Sequence, residues 1–173
     1  MKGTIIRCLD ELVTSRFGGD KWKEILRETG LPPFKLYIPL QDVDDDEALR
    51  LIQSTCKVLG LSLQQAADAF GEYWMTVYAP KVYKSFLEKA KSARDFLLAM
   101  DQLHTTVTST MANARPPHFD YEWTDPKTLH MIYKSHRNLL PLLAGLARGV
   151  GKYYGQDLEV SIVPPNRVRI VFP

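Results

Sequence analysis

Over residues 92–111 the apolar side chains Phe96, Leu97, Met100, Leu103, Val107 and Met111 recur every three to four positions, the period of a helix with one buried face. Ser92, with Asp95 three residues on, supplies a start signal, so the pattern predicts one helix across this stretch. His104 lies on the same stripe, four after Met100 and three before Val107, which turns its imidazole inward. The same period through Ile5, Ile6, Leu9, Leu12, Val13 and Phe17 predicts a first helix over 2–17, closed by Gly18-Gly19. Asp20 can cap a second helix carrying Trp22, Ile25 and Leu26 as far as Gly30, after which Leu31-Pro32-Pro33 forces an extended connection. The acidic run over 42–47 suits the positive end of a third helix reaching about Leu59. Ser62 and Gln65 form a capping box for a fourth over 63–78, stopped by Pro80. A shorter segment around Val82, Phe86 and Leu87 follows.

After Met111 the period changes. Phe119, Tyr121 and Trp123 alternate with polar residues; beyond a turn at Asp125-Pro126, Leu129, Met131 and Tyr133 alternate with His130, Ile132 and Lys134. Both runs predict strands. A last helix over 138–154 carries Leu139, Leu142, Leu143, Leu146 and Val150, with Pro141 tolerated in its first turn. The chain closes on a hairpin, 158–162 and 168–172, turned at Pro164-Pro165-Asn166. Helices first and antiparallel strands later predict an α+β fold, a helical N-terminal part followed by an antiparallel sheet with packed helices.

Composition narrows the class. At 173 residues the chain makes one domain or two tightly joined subdomains, and 45 % hydrophobic with 24 % charged residues is ordinary for a globular protein. A net charge of +2, with basic residues dispersed among acidic ones, makes no case for nucleic acid. Cys8 and Cys56 stand outside any CxxC pattern, as expected of inert thiols in a reducing compartment. The opening residues lack the apolar run of a signal peptide and no stretch reaches membrane-spanning length, so a cytoplasmic protein with no membrane partner is expected. Asp42, Asp44 and Asp46 imitate the start of a calcium loop, but Glu47 stands where glycine is needed and Gln53 where a bidentate glutamate is needed. Calcium is rejected.

Two constellations carry candidate chemistry. An inward histidine is either a packed core residue with satisfied nitrogens or, as a neutral imidazole in an apolar pocket, an axial ligand for haem iron. Phe70, Tyr73, Trp74 and Tyr78 crowd one predicted helix, as plain core or as flat walls that suit a porphyrin. In Tyr133-Lys134-Ser135-His136-Arg137, a persisting strand would project Tyr133, Ser135 and Arg137 to one face. Two hydroxyls and a guanidinium fork match carboxylates such as the two propionates of haem; the plain alternative is a surface strand with an exposed arginine.

His104, then Pro116-Pro117, then Tyr133-Lys134-Ser135-His136-Arg137 together resemble the H-NOX domain, the haem-binding, gas-sensing module also found in soluble guanylate cyclase. The opening MKGTII and the FGEYW segment over 70–74 are similar to that family too, so the resemblance covers essentially the whole chain. It implies a single H-NOX domain over 1–173, with a helical N-terminal subdomain over about 1–64, a haem-binding subdomain over 65–173 and haem b buried between helices and sheet. Residue by residue, it implies that His104 ligates the iron and that Tyr133, Ser135 and Arg137 hold the propionates. It places Pro117 against the porphyrin, Ile5 and Leu146 flanking it, and Trp74 and Tyr78 on its distal side.

One position departs from the oxygen-binding members. Leu142, five residues after Arg137, stands where they carry a distal tyrosine. The resemblance therefore implies a sensor of nitric oxide, and of carbon monoxide, that excludes oxygen; Tyr73 and Tyr78 are the other hydroxyls able to serve an oxygen-binding member. It also implies that nitric oxide weakens the iron–His104 bond, freeing the helix that carries it, while the porphyrin relaxes against Pro117 and the helical part shifts relative to the strand-rich part. No catalytic segment follows Phe172, so a sensor rather than an enzyme is expected, reporting to a separate histidine kinase or cyclic-di-GMP enzyme. A haem peroxidase or dismutase would need a distal acid–base pair, whereas His118, His130 and His136 fall on the strand side. The remaining rival is a haem-free module in which His104 is packed and the residues around Arg137 bind some other carboxylate.

Overall fold

The computed structural model describes residues 1–173, which divide into two units: Met1–Ala66 with Met111–Arg115, and Ala67–Thr110 with Pro116–Pro173. In the first, α1 (Gly3–Phe17) and α2 (Gly19–Glu28) bury Ile6, Leu9, Leu12 and Val13 with Trp22, Ile25 and Leu26 of the stripes read from the sequence, while Ile5 is half-buried and Phe17 exposed, and α3 (Asp45–Leu59) buries Ala48 and Leu51. The Asp44 carboxylate accepts the N–H groups of Asp46 and Glu47 at the start of α3, and three further acids occupy its first turn. Asp20 does not cap α2. Gly18, at φ 87°, takes that place and reverses the chain within one residue, a conformation that favours glycine, so Asp20 falls inside the first turn.

α4 (Leu63–Tyr73) opens on the expected capping box: Ser62 N donates to Gln65 Oε1 at 2.8 Å and Gln65 N to Ser62 Oγ at 3.2 Å. Pro80 does not stop the helical run. Trp74–Tyr78 form a π-helical turn in which Ala79 N reaches back five residues to Trp74 O, and α5 (Ala79–Val82) follows with Pro80 in its first turn. The wider turn re-registers the hydrogen-bond ladder where the proline lacks its N–H. α6 (Lys84–Leu87) is a single turn.

The helix expected over 92–111 is two helices, α7 (Ala93–Leu98) and α8 (Met100–Thr108). Between them Ala99 N is shared by the carbonyls of Asp95 and Phe96, at 3.1 and 3.2 Å, the tightened turn that ends a helix. α7 buries Ala93, Phe96 and Leu97, whereas no residue of α8 is fully buried.

Strands β1 (His118–Trp123) and β2 (Thr128–Lys134) precede α9 (Leu140–Tyr153), and β3 (Glu159–Val163) and β4 (Arg167–Val171) form the terminal hairpin. The sheet is antiparallel throughout in the order β1-β2-β4-β3, with Phe119 opposite Tyr133 and Met131 opposite Val168. Leu129, Met131, Val168 and Ile170 are fully buried on its inner face. The architecture is the α+β class read from the sequence.

α9 approaches α4 closely through glycine. A Cβ on Gly145 would stand 2.2 Å from Ala67 O, one on Gly149 2.1 Å from Gly71 O, and one on Gly71 2.1 Å from Gly145 O. Arg148 and Lys152 lock the same pair of helices with ion pairs to Asp68 and Glu72, at 2.7 and 2.6 Å. No helix is long and apolar enough to cross a membrane.

Candidate functional site

The first turn of α8 is tied to β1 by polar bonds. Asp101 N donates to Tyr121 Oη at 3.2 Å, while Asp101 Oδ1 accepts Phe119 N at 3.0 Å and lies 3.0 Å from His118 Nδ1. The Phe119 N–H, first, and His118 beside it hold the Asp101 carboxyl below its ordinary range.

One turn on, His104 is half-buried, with Nδ1 3.2 Å from Pro117 O. A carbonyl can only accept, so Nδ1 carries the hydrogen and the lone pair of a neutral ring resides on Nε2, which makes no hydrogen bond. Burial lowers the pKa of this imidazole below 6.5 and outweighs the opposing pull of the Pro117 carbonyl and of Asp101. The ring packs on Phe119 at 5.6 Å between centroids, and Phe119 packs on Tyr133 at 6.2 Å.

Tyr133 is the last inward residue of β2, 9 % exposed. The strand ends at Lys134, so Ser135 and Arg137 do not continue its face; they occupy a turn in which Ser135 Oγ accepts Arg137 N at 3.3 Å. Asn138, at φ 52°, then leads the chain into α9. A side-chain-to-backbone bond and a left-handed asparagine give the backbone an alternative to the ladder, which explains why the strand stops short.

On the π turn, Trp74 stacks on Phe70 at 5.8 Å and on Tyr78 at 5.2 Å, and leans on Tyr83 at 6.0 Å. Tyr78 is buried and Tyr73 half-buried. Leu142 and Leu146 lie one turn apart on α9, both half-buried, although Leu143, Ala144 and Ala147 between and beside them are buried. All of these belong to the second unit; Ile5, half-buried, lies on α1 in the first. Within the second unit His104, Pro117 and Tyr133 are joined through one hydrogen bond and the ring of Phe119.

The donor set fits haem. A neutral imidazole with a free Nε2 lone pair is the chemistry of a haem-iron ligand. A histidine that donates its second nitrogen to a backbone carbonyl is the usual arrangement of a metal-ligating imidazole. The sequence reading missed Asp101, Tyr121 and the linking role of Phe119. Phe119 was visible as an inward strand position, but nothing in the spacing shows that Asp101 reaches β1.

The family described as Haem-NO-binding matches residues 2–162. The chain therefore belongs to the H-NOX family of haem-binding gas-sensor domains. It is 27 % identical over 174 residues to soluble guanylate cyclase gcy-35 of Caenorhabditis elegans, covering 96 % of this chain and 25 % of that protein. With gcy-32 of the same organism the identity is also 27 %, covering 98 % and 25 %. The chain thus spans about a quarter of the length of these relatives. Among solved structures, an oxygen-binding H-NOX domain related to soluble guanylate cyclases superposes with a TM-score of 0.83 at 25 % identity, covering 99 % of this chain and 95 % of that one. A Cs H-NOX variant shares the fold with a TM-score of 0.87 at 24 % identity, covering 99 % and 96 %.

Proposed function

We propose that this domain holds haem b through His104 and senses nitric oxide, and carbon monoxide, while excluding oxygen. The observation that carries the reading is the 3.2 Å contact between His104 Nδ1 and the Pro117 carbonyl, which can only accept and so leaves Nε2 with a lone pair and no hydrogen bond. Ferrous haem, when bound, supplies the metal at which a diatomic gas coordinates. Tyr133, Ser135 and Arg137 supply hydroxyl and guanidinium donors for the propionates. Pro117, Ile5 and Leu146 are the apolar contacts of the macrocycle in this reading, and Trp74 and Tyr78 form its distal wall.

Selectivity rests on Leu142. A distal hydroxyl would stabilise the partial negative charge of bound dioxygen, and a hydrogen bond to a charged group contributes about 1.5–3 kcal/mol. A leucine offers no donor, which weakens oxygen by roughly ten- to a hundredfold while leaving nitric oxide and carbon monoxide nearly untouched. Signalling would rest on the hold on α8: no side chain of this helix is fully buried, so His104 would be its main tie to a bound haem. The gas biases a two-state element by its different affinity for the two states. In this reading the domain is not itself an enzyme. It reports, in the cytoplasm, to a separate signalling enzyme, a histidine kinase or a cyclic-di-GMP enzyme.

Protein prepared with ample haem is expected to show a Soret band that His104→Ala abolishes and added imidazole restores; a colourless wild type overturns the reading. Admitting air to the ferrous protein is expected to leave a stable oxygen adduct unformed, and Leu142→Tyr to raise oxygen affinity about ten- to a hundredfold. A stable oxygen-adduct spectrum of the wild type in air, distinct from that of the ferric protein, sinks the selectivity.

A further inference from the structure

Met111–Arg115, which follow α8, belong to the first unit, whereas α8 before them and Pro117 after them belong to the second. Two side chains of the first unit fasten this segment. Lys2 Nζ donates to Ala112 O at 2.6 Å and to Asp42 Oδ1 at 2.5 Å, and Asn113 Nδ2 donates to Asp42 Oδ2 at 3.1 Å. The bonds run from Ala112 through Lys2 and Asp42 to Asn113, so they close a clasp on two adjacent residues. Its members are held in place by the backbone. Lys2 and Asp42 pair as an antiparallel bridge, with Gly3 N on Gln41 O at 2.9 Å and Val43 N on Met1 O at 2.8 Å. Asn113 adopts a left-handed φ of 58°, in a turn where Ala114 N donates to Met111 O at 3.3 Å. The Lys2 side chain is only 14 % exposed, and its ammonium, followed by the Asn113 amide, holds the Asp42 carboxyl below its ordinary range.

The clasp stands where α8 lacks any other hold. That helix buries no residue fully, and the hydroxyls of its second half turn back on it. Thr105, Thr106 and Thr108 donate to the carbonyls of Asp101, Gln102 and His104 at 3.0, 2.8 and 2.7 Å, and Ser109 donates to Thr106 O at 2.8 Å. Such bonds compete with the helical ladder and tie the helix to no neighbour. The polar ties of α8 to β1 and Pro117 lie at Asp101 and His104. Beyond His104, the next hydrogen-bonded anchorage along the chain is the clasp. Ala112 is four residues past Thr108, about 14 Å at full extension and less through the turn at 109–110, so the end of α8 is on a short lead.

We propose that Lys2, Asp42 and Asn113 are positioning residues for His104, acting by fastening the chain just downstream of its helix. Their use in sensing rests on the haem reading of His104, whereas the fastening itself is present without haem. In the haem-free protein, Asp42→Ala and Lys2→Ala are each expected to quicken amide exchange over 105–114 about three- to tenfold, with α9 unchanged. Lys2→Arg is expected to keep wild-type rates, because a guanidinium can serve both acceptors. Lys57→Ala, which removes an exposed ion pair with Glu28 in the same unit, is expected to leave 105–114 unchanged. With haem bound, the iron–histidine stretching band in resonance Raman spectra is expected to shift in both alanine variants and to return in Lys2→Arg. Unchanged exchange over 105–114 in both alanine variants overturns the proposal. So does quickened exchange with an unmoved stretching band, which reduces the clasp to a loop fastening with no hold on His104. A colourless wild type sinks the haem reading instead, and the exchange rates then decide the clasp alone.

Discussion

Two helices of the second unit carry candidate haem contacts, and they are held in opposite ways. α9 buries Leu140, Leu143, Ala144, Gly145, Ala147, Gly149, Val150 and Gly151, and Gly145 and Gly149 lie against the backbone of α4. α8 buries no residue fully and is held through the bonds of Asp101 to Phe119, His118 and Tyr121 and of His104 to Pro117. Close packing distributes its energy over many small contacts that fail together, whereas a few hydrogen bonds can break and re-form one at a time. The same unit thus holds one helix, bearing Leu142 and Leu146, by close packing and another, bearing the candidate ligand, by a few polar bonds. The proposed function uses that division, because it asks only the lightly held helix to respond to a gas.

The comparison breaks most visibly at the glycines. Gly149→Ala places a methyl group 2.1 Å from the Gly71 carbonyl, and backbone cannot yield cheaply, so a loss of about 3 kcal/mol in urea unfolding of the haem-free protein is expected. A neutral outcome would show that α4 and α9 are free to separate. Asp101→Ala comes next. It removes the side-chain half of the tie between α8 and β1 at a cost of about 1 kcal/mol, below the usual value for a charged acceptor because this carboxylate is 37 % exposed and screened by solvent. Amide exchange is expected to quicken along α8 while α9 is unchanged; equal acceleration in both helices would erase the distinction drawn above.

Acid sharpens the same contrast with smaller effects. The Asp101 carboxyl is held below its ordinary 3.8, so its contribution is complete above that value and disappears as the pH falls through its folded pKa. The wild-type hold on α8 is therefore expected to fade in strong acid, and Asp101→Ala to lack that part of the change. His104 acts in a milder range. Its pKa is lowered below 6.5 by burial, so the unfolded chain takes up a proton that the folded one refuses, and the haem-free protein loses stability as the pH falls below about 6.5. Denaturant midpoints at pH 7.5 and 5.5 measure this loss, and His104→Gln is expected to flatten it; an identical slope in the variant counts against a neutral, desolvated imidazole.

Much of the fold was legible because amphipathic period is a local property. The stripes through Ile6 to Val13, Trp22 to Leu26 and Leu129 to Tyr133 are buried where their spacing placed them. The capping signals at Ser62 and Ser92 operate, since a side chain and an N–H three residues away need no tertiary help to meet, although the one at Asp20 does not. The breaks were not legible. The stripe runs on through Ala99 although the helix does not, and side-chain spacing cannot tell the π turn at Trp74–Tyr78 from an α-helix that Pro80 ends. Ser135 and Arg137 leave the strand because of Asn138, whose left-handed backbone the alternation of neighbouring residues does not encode.

What the amino acids alone determined is which faces are apolar, hence the α+β class, together with the residue types, His104 and the set around Arg137, that point to haem. Only the tertiary structure decided which nitrogen of His104 carries the hydrogen, how tightly α9 meets α4, how lightly α8 is held, and which groups fasten Ala112 and Asn113. Periodicity depends on neighbours along the chain, whereas these properties depend on groups far apart in sequence and close in space, such as the Pro117 carbonyl, the Gly71 backbone and the carboxylate of Asp42.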